Sequence, residues 1–487
     1  MSLIACFEII AKALFPNIKK NKHVSSILIP HAGLEYSGLA SVIPFLEINT
    51  DKYTKVICLC TNHYDNTNIE ITSKELLSGD NRKILDREHS YLRMEELVEH
   101  FFNKDSNTTQ KIIYHLIGDH TSSNALNSVD ENTLIIANSD FWHYGDRFSN
   151  SQHSSKINSQ HDKILKENAI IKSIKESDID SYNEATRDDK NIKPCGNQVI
   201  KLLLKYHSDM NIKGEVCMYH DSVNKFLPSF NILDMMKLDY NGSNHLVSYV
   251  SIIFSKYNHV SPLIHRFEQL MLLSRIKSMI EFIVADKSSY TDLIIMPEWC
   301  NINSYKNGIF VGIKNTEDNA TRASIGYYST DNFIQKTLAA AKSCVNDAHN
   351  RWKKPILISE ISPHNKIMYY VNIFEAEDKW KTWHGYQDIA KNAPGKDITK
   401  KTYGYKFSYN RNGMNLSSTY LPGVWKEHEN RWPTFEKMIN DLIYKALSKT
   451  SYTDDELKEY KTNGLFKTYK TTYVEEPIIT DKSICLR

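Results

Sequence analysis

Three histidines share one sequence setting. His31 closes the run SSILIPH, His63 closes VICLCTNH, and His143 follows NTLIIANSDFWH. Each comes just past an apolar run of buried-strand length. Imidazole ligates iron, zinc and copper, and it is a base that titrates near neutrality. One histidine of this kind more often serves packing than chemistry; three in equivalent settings favour a shared site. Cys195 lies in NIKPCGNQVIKLLLKY, between Pro194 and Gly196 and directly before a helical run. A thiol at a helix N-terminus is expected to have a lowered pKa, which makes it a better ligand or nucleophile. A small buried core cysteine fits those facts equally well. Cys58 and Cys60 form C-x-C on one strand and share a face. Without a second pair at zinc-site spacing they read as core residues.

The elements that would carry these side chains alternate. SSILIP (25–30), KVICLC (55–60), KIIYHLI (111–117) and NTLIIAN (132–138) read as strands, with amphipathic segments at 95–102 and 164–174 between or after them. GEVCMYH (214–220) and LVSYVSIIF (246–254) add two more. Alternation of this kind predicts an α/β domain with a parallel or mixed sheet. In such sheets ligands gather outside the carboxyl ends of the strands, where residues distant in sequence converge. The polar, proline-containing stretch 256–264 reads as a linker, which gives domains at 1–255 and 265–487. A helix is expected over about 264–285, then strands GIFVGIKN, KIMYYVNIF and YGYKFSYN with helices at 331–345 and 433–447. Their looser interleaving suggests α+β. The lysine-rich stretch 375–402 has aromatics interleaved and reads first as a solvated excursion, second as a binding patch. No internal repeat is evident.

Composition narrows the function classes. The 487 residues hold 60 Lys and Arg against 58 Asp and Glu, a net charge of +2, with 41% apolar residues. Disordered chains are poorer in apolar residues and more strongly charged. A dedicated nucleic-acid binder would show a basic excess, so nucleic acid is not an expected partner. No apolar run approaches the roughly 18–20 residues that cross a bilayer, so no membrane role is expected. The eight cysteines are scattered, which suits a reducing compartment rather than a disulfide framework. Ile4, Phe7, Ala11 and Leu14 recur at helical spacing, so the N-terminus reads as an amphipathic helix and not a signal peptide. A cytoplasmic protein is expected.

The motifs bear a resemblance. IPHAGLEYSG (29–38), NSDFWHYGDRF (138–148) and PCGNQVI (194–200) are similar to signatures of the Memo family, and CTNHY (60–64) and REHS (87–90) fall where that family has its histidine pair and its EHS motif. Memo proteins are similar in fold to class III extradiol dioxygenases. The resemblance therefore implies an α/β domain with a mixed central sheet, with His31, His63 and Cys195 as metal ligands. His143, with Asp140 in the same motif, would act as the catalytic acid–base or oxygen-contacting group. Fe(II) is the implied metal, with copper or zinc as alternatives, since a cysteine in place of the usual carboxylate softens the site. The chain also departs from the family. Its early V-A-G-x-F-Y-P segment shrinks to ALFP (13–16). Tyr91 and Leu92 stand where an acidic residue is usual, with Glu95 and Glu96 displaced, and the histidine pair is His63–Tyr64. Those changes put the orientation of the ligands in doubt.

The second half resembles the α+β AMMECR domain through GIFVGIKN (308–315), TRASIG (321–326), STYLPGVWKEHENRWPTFEKMINDLI (418–443) and KTYKTTYVEE (467–476). Here the motif's cysteine is Ser324 and its first glycine is Ala323. Arg322 persists as a candidate anion-binding residue, or as a salt-bridge partner of its strand. Modules of these two kinds commonly accompany a radical-SAM protein, which is an expected partner, although this chain has no C-x-x-x-C-x-x-C motif. Two functions remain open from sequence. One is a metal-dependent redox protein, a non-haem iron oxygenase or oxidoreductase acting on a small molecule. The other is a non-catalytic scaffold whose Memo-like cleft binds a peptide or small molecule.

Overall fold

The computed structural model describes residues 2–16, 18–20, 24–71, 79–102, 110–144, 160–187, 193–221, 246–256, 262–284, 296–297, 299–305, 307–329, 332–350, 353, 355–361, 366–375, 377–392, 402–411, 413–447 and 453–475. Two compact units divide the chain. The first comprises Met1–Ser278, Ser289–Asn301 and Pro477–Arg487, and the second Met279–Ser288 and Ile302–Glu476. Within the stretch read as a linker, 257–261 lie outside the described residues, and Pro262 begins a helix that runs to Val284.

The first unit is built on a mixed eight-stranded sheet. Its strands are β1 (Val24–Ile29), β2 (Lys55–Thr61), β3 (Ile69–Ile71), β4 (Lys111–Ile117), β5 (Thr133–Asn138), β6 (His143–Tyr144), β7 (Lys213–Asp221) and β8 (Leu246–Ser255). They run in the order β3-β4-β2-β5-β1-β8-β6, with β7 on β8. β4, β2, β5 and β1 are mutually parallel, and the remaining pairings are antiparallel. β1, β2 and β5 are almost wholly buried, as expected of parallel strands covered on both faces. Their near-continuous apolar runs are what made them legible in sequence.

Helices α1 (Leu3–Leu14), α2 (Leu34–Val42), α3 (His89–Phe102), α4 (Gln160–Glu176) and α5 (Asn197–Met210) belong to the same unit. The N-terminal helix forms as its spacing predicts. The Ser2 side chain accepts from Ala5 N, and Ile4, Phe7, Ala11 and Leu14 are buried. Glu8 then reaches both Lys12, at 2.6 Å, and His100 on α3, at 2.8 Å. Among the described residues no helix is long and apolar enough to cross a membrane, and the seven cysteines within them are free thiols.

The second unit holds two four-stranded sheets. One is ordered β10-β9-β11-β16 and the other β12-β15-β13-β14, with all pairings antiparallel. Their ranges are β9 (Asn307–Asn315), β10 (Thr321–Ser329), β11 (Ile367–Phe374), β12 (Lys381–His384), β13 (Gly404–Arg411), β14 (Met414–Tyr420), β15 (Leu465–Tyr469) and β16 (Thr471–Glu475). The closing segment, expected as one strand over 467–476, instead breaks at Lys470 and passes from one sheet to the other. The 375–402 stretch is likewise not a free excursion. It supplies β12, a helix over Gly385–Asn392 and the buried side chains of Trp380 and Ile389, while 393–401 lie outside the described residues.

One buried histidine gives the first unit a defined acid sensitivity. His207 on α5 is fully buried beside Phe254, with Nε2 2.7 Å from the Ser26 hydroxyl. Burial lowers its pKa from 6.5 to about 3. Between those values the unfolded chain binds a proton that the folded chain refuses. Stability is therefore complete above pH ~6.5 and falls toward pH 3 by up to about 1.4 kcal/mol per unit. Urea unfolding across that window should show a shallower slope for His207→Gln than for the wild type. An identical slope would dissociate His207 from the acid response.

Candidate metal centre

The parallel order β2-β5-β1 places three strand ends side by side, with β5 in the middle. Ile29 pairs with Asn138 and Leu59 with Ala137, so the chain leaves all three strands at nearly one level. His31 and His63 each follow two residues beyond an end. His31 lies level with Asp140, whose Oδ1 accepts from the backbone N–H of His31 at 2.9 Å and of Ala32 at 3.2 Å.

Asn138 fixes the protons of this corner. Its Nδ2 donates to Ser90 O at 2.7 Å, which leaves Oδ1 as the acceptor for Thr61 N at 3.4 Å and for His31 Nδ1 at 3.2 Å. His31 must then carry its hydrogen on Nδ1, so the Nε2 lone pair faces the site. Burial lowers the pKa of His31 to about 4, against the opposing pull of Asp140, so the ring is neutral. Glu88 does for His63 what Asn138 does for His31. Its fully buried carboxylate accepts from His63 Nδ1 at 2.8 Å and His63 N at 2.9 Å. Burial alone would raise the Glu88 carboxyl; the hydrogen bonds from His63 and Ser90 outweigh it and hold the pKa at about 2. The ionised carboxylate keeps the hydrogen on His63 Nδ1 and leaves Nε2 as a donor atom.

Cys195 arrives from the other side of the sheet's end. Its backbone N–H donates to Asp140 O at 3.1 Å, and the next N–H, of Gly196, donates to Ser139 Oγ at 2.8 Å. A Cβ on Gly196 would lie 2.6 Å from Ser139 Cβ and 2.8 Å from Asn138 O, so only glycine lets this turn approach β5. The approach brings Cys195 Sγ to 3.1 Å from His31 Nε2. Donor atoms of His31, His63 and Cys195 all lie within 4.8 Å of one another. Metal–nitrogen bonds of ~2.1 Å and metal–sulfur bonds of ~2.3 Å place cis donors roughly 3–3.7 Å apart; His31 Nε2 and Cys195 Sγ already have that spacing, and the three residues together form a group that could hold a metal ion. The lowered thiol pKa expected from the helix N-terminus is not what the fold produces. Burial, reinforced by Asp140, pushes the Cys195 thiol up, outweighing its hydrogen bonds. In the metal-free protein the sulfur keeps its proton.

His143 does not follow a strand end as the other two histidines do. The chain runs on past Asp140 and docks on β8, where His143 pairs with Val247 in the short strand β6. Its Nδ1 lies 3.2 Å from Phe141 O, and burial lowers its pKa. It still joins the cluster, because Asp140, His143 and Cys195 also present donor atoms within 4.8 Å of each other. Tyr144 follows it in β6, while 145–148 of the NSDFWHYGDRF motif lie outside the described residues.

Two site residues went unread in the sequence. Glu88 and His89 both sit in REHS, where no strand end or apolar run in the sequence marks them. The His89 ring stacks on His63 with centroids 4.5 Å apart and meets His31 edge-on at 5.0 Å. Glu88 also fills the orienting role that seemed lost with the acidic residue at Tyr91–Leu92; Glu95 is instead bonded by the Tyr91 hydroxyl at 2.6 Å. Cys58 and Cys60 are buried core thiols, as read. Arg322 belongs to the second unit and is engaged there, with Nη1 on Glu360 and Nη2 3.3 Å from Pro355 O.

Comparison with known proteins bears on part of the first unit. A family model described as Memo-like protein matches residues 98–228, which span Asp140, His143 and Cys195 and begin after His31, His63, Glu88 and His89. No curated protein matches the chain. Among solved structures, an uncharacterized protein from Pyrococcus horikoshii is 14% identical, with 43% of this chain and 97% of that chain covered at a TM-score of 0.31. The chain therefore carries a Memo-like segment on a mixed α/β fold, with residue groups suited to a metal ion.

Gly196→Ala tests the tight turn directly. The added methyl must displace the Cys195 turn or the end of β5, costing about 1–3 kcal/mol. Thermal unfolding should show that loss, with reduced metal content; a variant matching the wild type in both would mean the contact is soft.

Proposed function

We propose that the first unit is a redox metal centre, holding one Fe(II) ion through His31, His63 and Cys195 and acting on a small molecule or peptide in the cleft at the strand ends. Copper and zinc are the alternative ions. One observation carries the reading: His31 and His63 both have their rear nitrogens committed, to Asn138 and to Glu88, while His31 Nε2 lies 3.1 Å from the sulfur of Cys195 and a donor atom of each of the three residues lies within 4.8 Å of the others. Imidazoles backed in this way are the usual metal-site arrangement, since the rear bond fixes tautomer and ring plane. A bound iron ion would supply Lewis acidity and one-electron chemistry.

The chain's own residues divide the remaining work. Asp140 fixes the His31 loop by two backbone hydrogen bonds. His143, with Nδ1 facing Phe141 O, offers Nε2 to hold or move a proton at the substrate. The His89 ring lies against those of His63 and His31. In this proposal the second half is an AMMECR-like module, the protein is cytoplasmic, and a radical-SAM protein is a partner.

Metal analysis of anaerobically purified protein tests the reading. His31→Ala, His63→Ala and Cys195→Ala should each lower bound metal at least tenfold, because removing one of three protein ligands weakens a site sharply. Full loading of all three variants would refute the assignment. His143→Ala should keep its metal while losing oxygen uptake with catechol-like substrates. Loss of the metal would instead make His143 a ligand. A loaded wild type with no oxygen uptake across such substrates would favour the binding-protein reading.

A further inference from the structure

The three proposed ligands belong to a longer row of donor atoms. Among the described residues, His63, Glu88 and His89 form a second group whose donor atoms all lie within 4.8 Å of one another, beside the group of His31, His63 and Cys195. The two groups share His63. Exposure orders them: the His89 side chain is 55% exposed, that of His63 27%, and that of His31 1%. The row therefore runs from solvent at His89 to the interior at His31.

His89 is held in this place by the turn that puts Glu88 beneath His63. It opens α3, and the next backbone N–H, of Ser90, donates to Glu88 Oε1 at 3.0 Å. The His89 ring lies nearly parallel to that of His63, with 22° between the planes and 4.5 Å between centroids, and it meets the His31 ring edge-on at 5.0 Å. Its Nδ1 is 3.6 Å from the same Glu88 oxygen that accepts from His63 Nδ1 at 2.8 Å. The fully buried Glu88 carboxylate thus sets negative charge behind both imidazoles. The most exposed donor of the row touches both imidazoles of the inner group.

That order answers a physical difficulty. A hydrated cation is far wider than the bare ion, and it must shed water before a buried nitrogen or sulfur can reach it. Stripping a charge of water with nothing in return is costly. A first protein ligand at the surface, exchanged stepwise for deeper ones, divides that barrier into small parts.

We propose that His89 is the receiving ligand of the centre, binding an incoming divalent transition-metal ion together with His63 before His31 and Cys195 take it; the inference rests on the metal reading of that site. Imidazole suits such ions, and ions of the magnesium and calcium class prefer oxygen. His63 belongs to both groups, so it keeps its bond throughout while the other half of the coordination shell changes. His89 and the remaining water leave as His31 Nε2 and Cys195 Sγ arrive, and the Cys195 thiol gives its proton to water. Release runs through the same steps in reverse. In this role His89 is absent from the final site and sets the speed at which that site fills and empties.

The test uses the full-length, metal-stripped protein with cobalt(II) as the probe, and reads the thiolate-to-cobalt absorption of Cys195 by stopped flow. Excess EDTA then gives the rate of release. His89→Ala should slow uptake and release by about tenfold or more each and leave the equilibrium affinity unchanged. That pairing is diagnostic, because loss of an ordinary ligand weakens affinity, chiefly through faster release. His89→Phe keeps a flat ring against His63 but offers no nitrogen, and should be as slow as His89→Ala. His384→Ala, which removes an exposed histidine of the second unit, should change neither rate. Wild-type rates in a loaded His89→Ala protein would overturn the inference and leave the metal reading standing. So would weaker affinity with faster release, which makes His89 part of the final site, and so would wild-type rates in His89→Phe, which make it a packing ring. A wild type that takes up no cobalt would defeat the metal reading itself, and this inference with it.

Discussion

The amide of Asn138 is the fixed point of the first unit's site. It ends the middle strand of the parallel trio, and it serves three different segments at once. Thr61 N and His31 Nδ1 share its oxygen, and Ser90 O accepts its hydrogen. Ser90 in turn donates its hydroxyl to Thr61 O at 2.6 Å, closing a loop of bonds around the ends of β1, β2 and β5. A buried polar network of this kind stabilises only when every member is satisfied, because an orphaned group in low dielectric costs about 1–3 kcal/mol. That requirement sets the His31 tautomer and pins the start of α3. It also places Glu88 under His63.

Much of the fold could be read before the structure, and the reason is burial. The strands β1, β2, β4 and β5 are apolar runs because parallel strands are covered on both faces. The pieces that escaped reading have weaker signals. β3 and β6 are three and two residues long, and their existence depends on neighbours rather than on composition. β12 hid inside the lysine-rich stretch because it is an edge strand whose Lys381 and Thr382 face solvent. The break at Lys470 was illegible because sequence shows extended residues on both sides and nothing of the change in sheet.

The site divides along the same line. His31, His63 and Cys195 were found from strand ends and a helix start, which are local features, together with family resemblance. Glu88 and His89 were passed over because their roles depend on where α3 begins relative to β2, a tertiary fact. The Cys195 thiol was misjudged for a related reason. A helix N-terminus is visible in sequence, but the packing around the sulfur is not, and here packing outweighs the dipole.

The protonated sulfur has a consequence for how the site would fill. His31 is neutral over the whole physiological range, so it gives up nothing when a cation arrives. Cys195 must release a hydrogen ion in the same step. In the proposed centre ion uptake would be an exchange, one metal ion in and one proton out, and from that thiol alone its equilibrium would move tenfold for each unit of pH. A cell that alkalinises would charge the centre and one that acidifies would drain it, with no change in the amount of metal supplied.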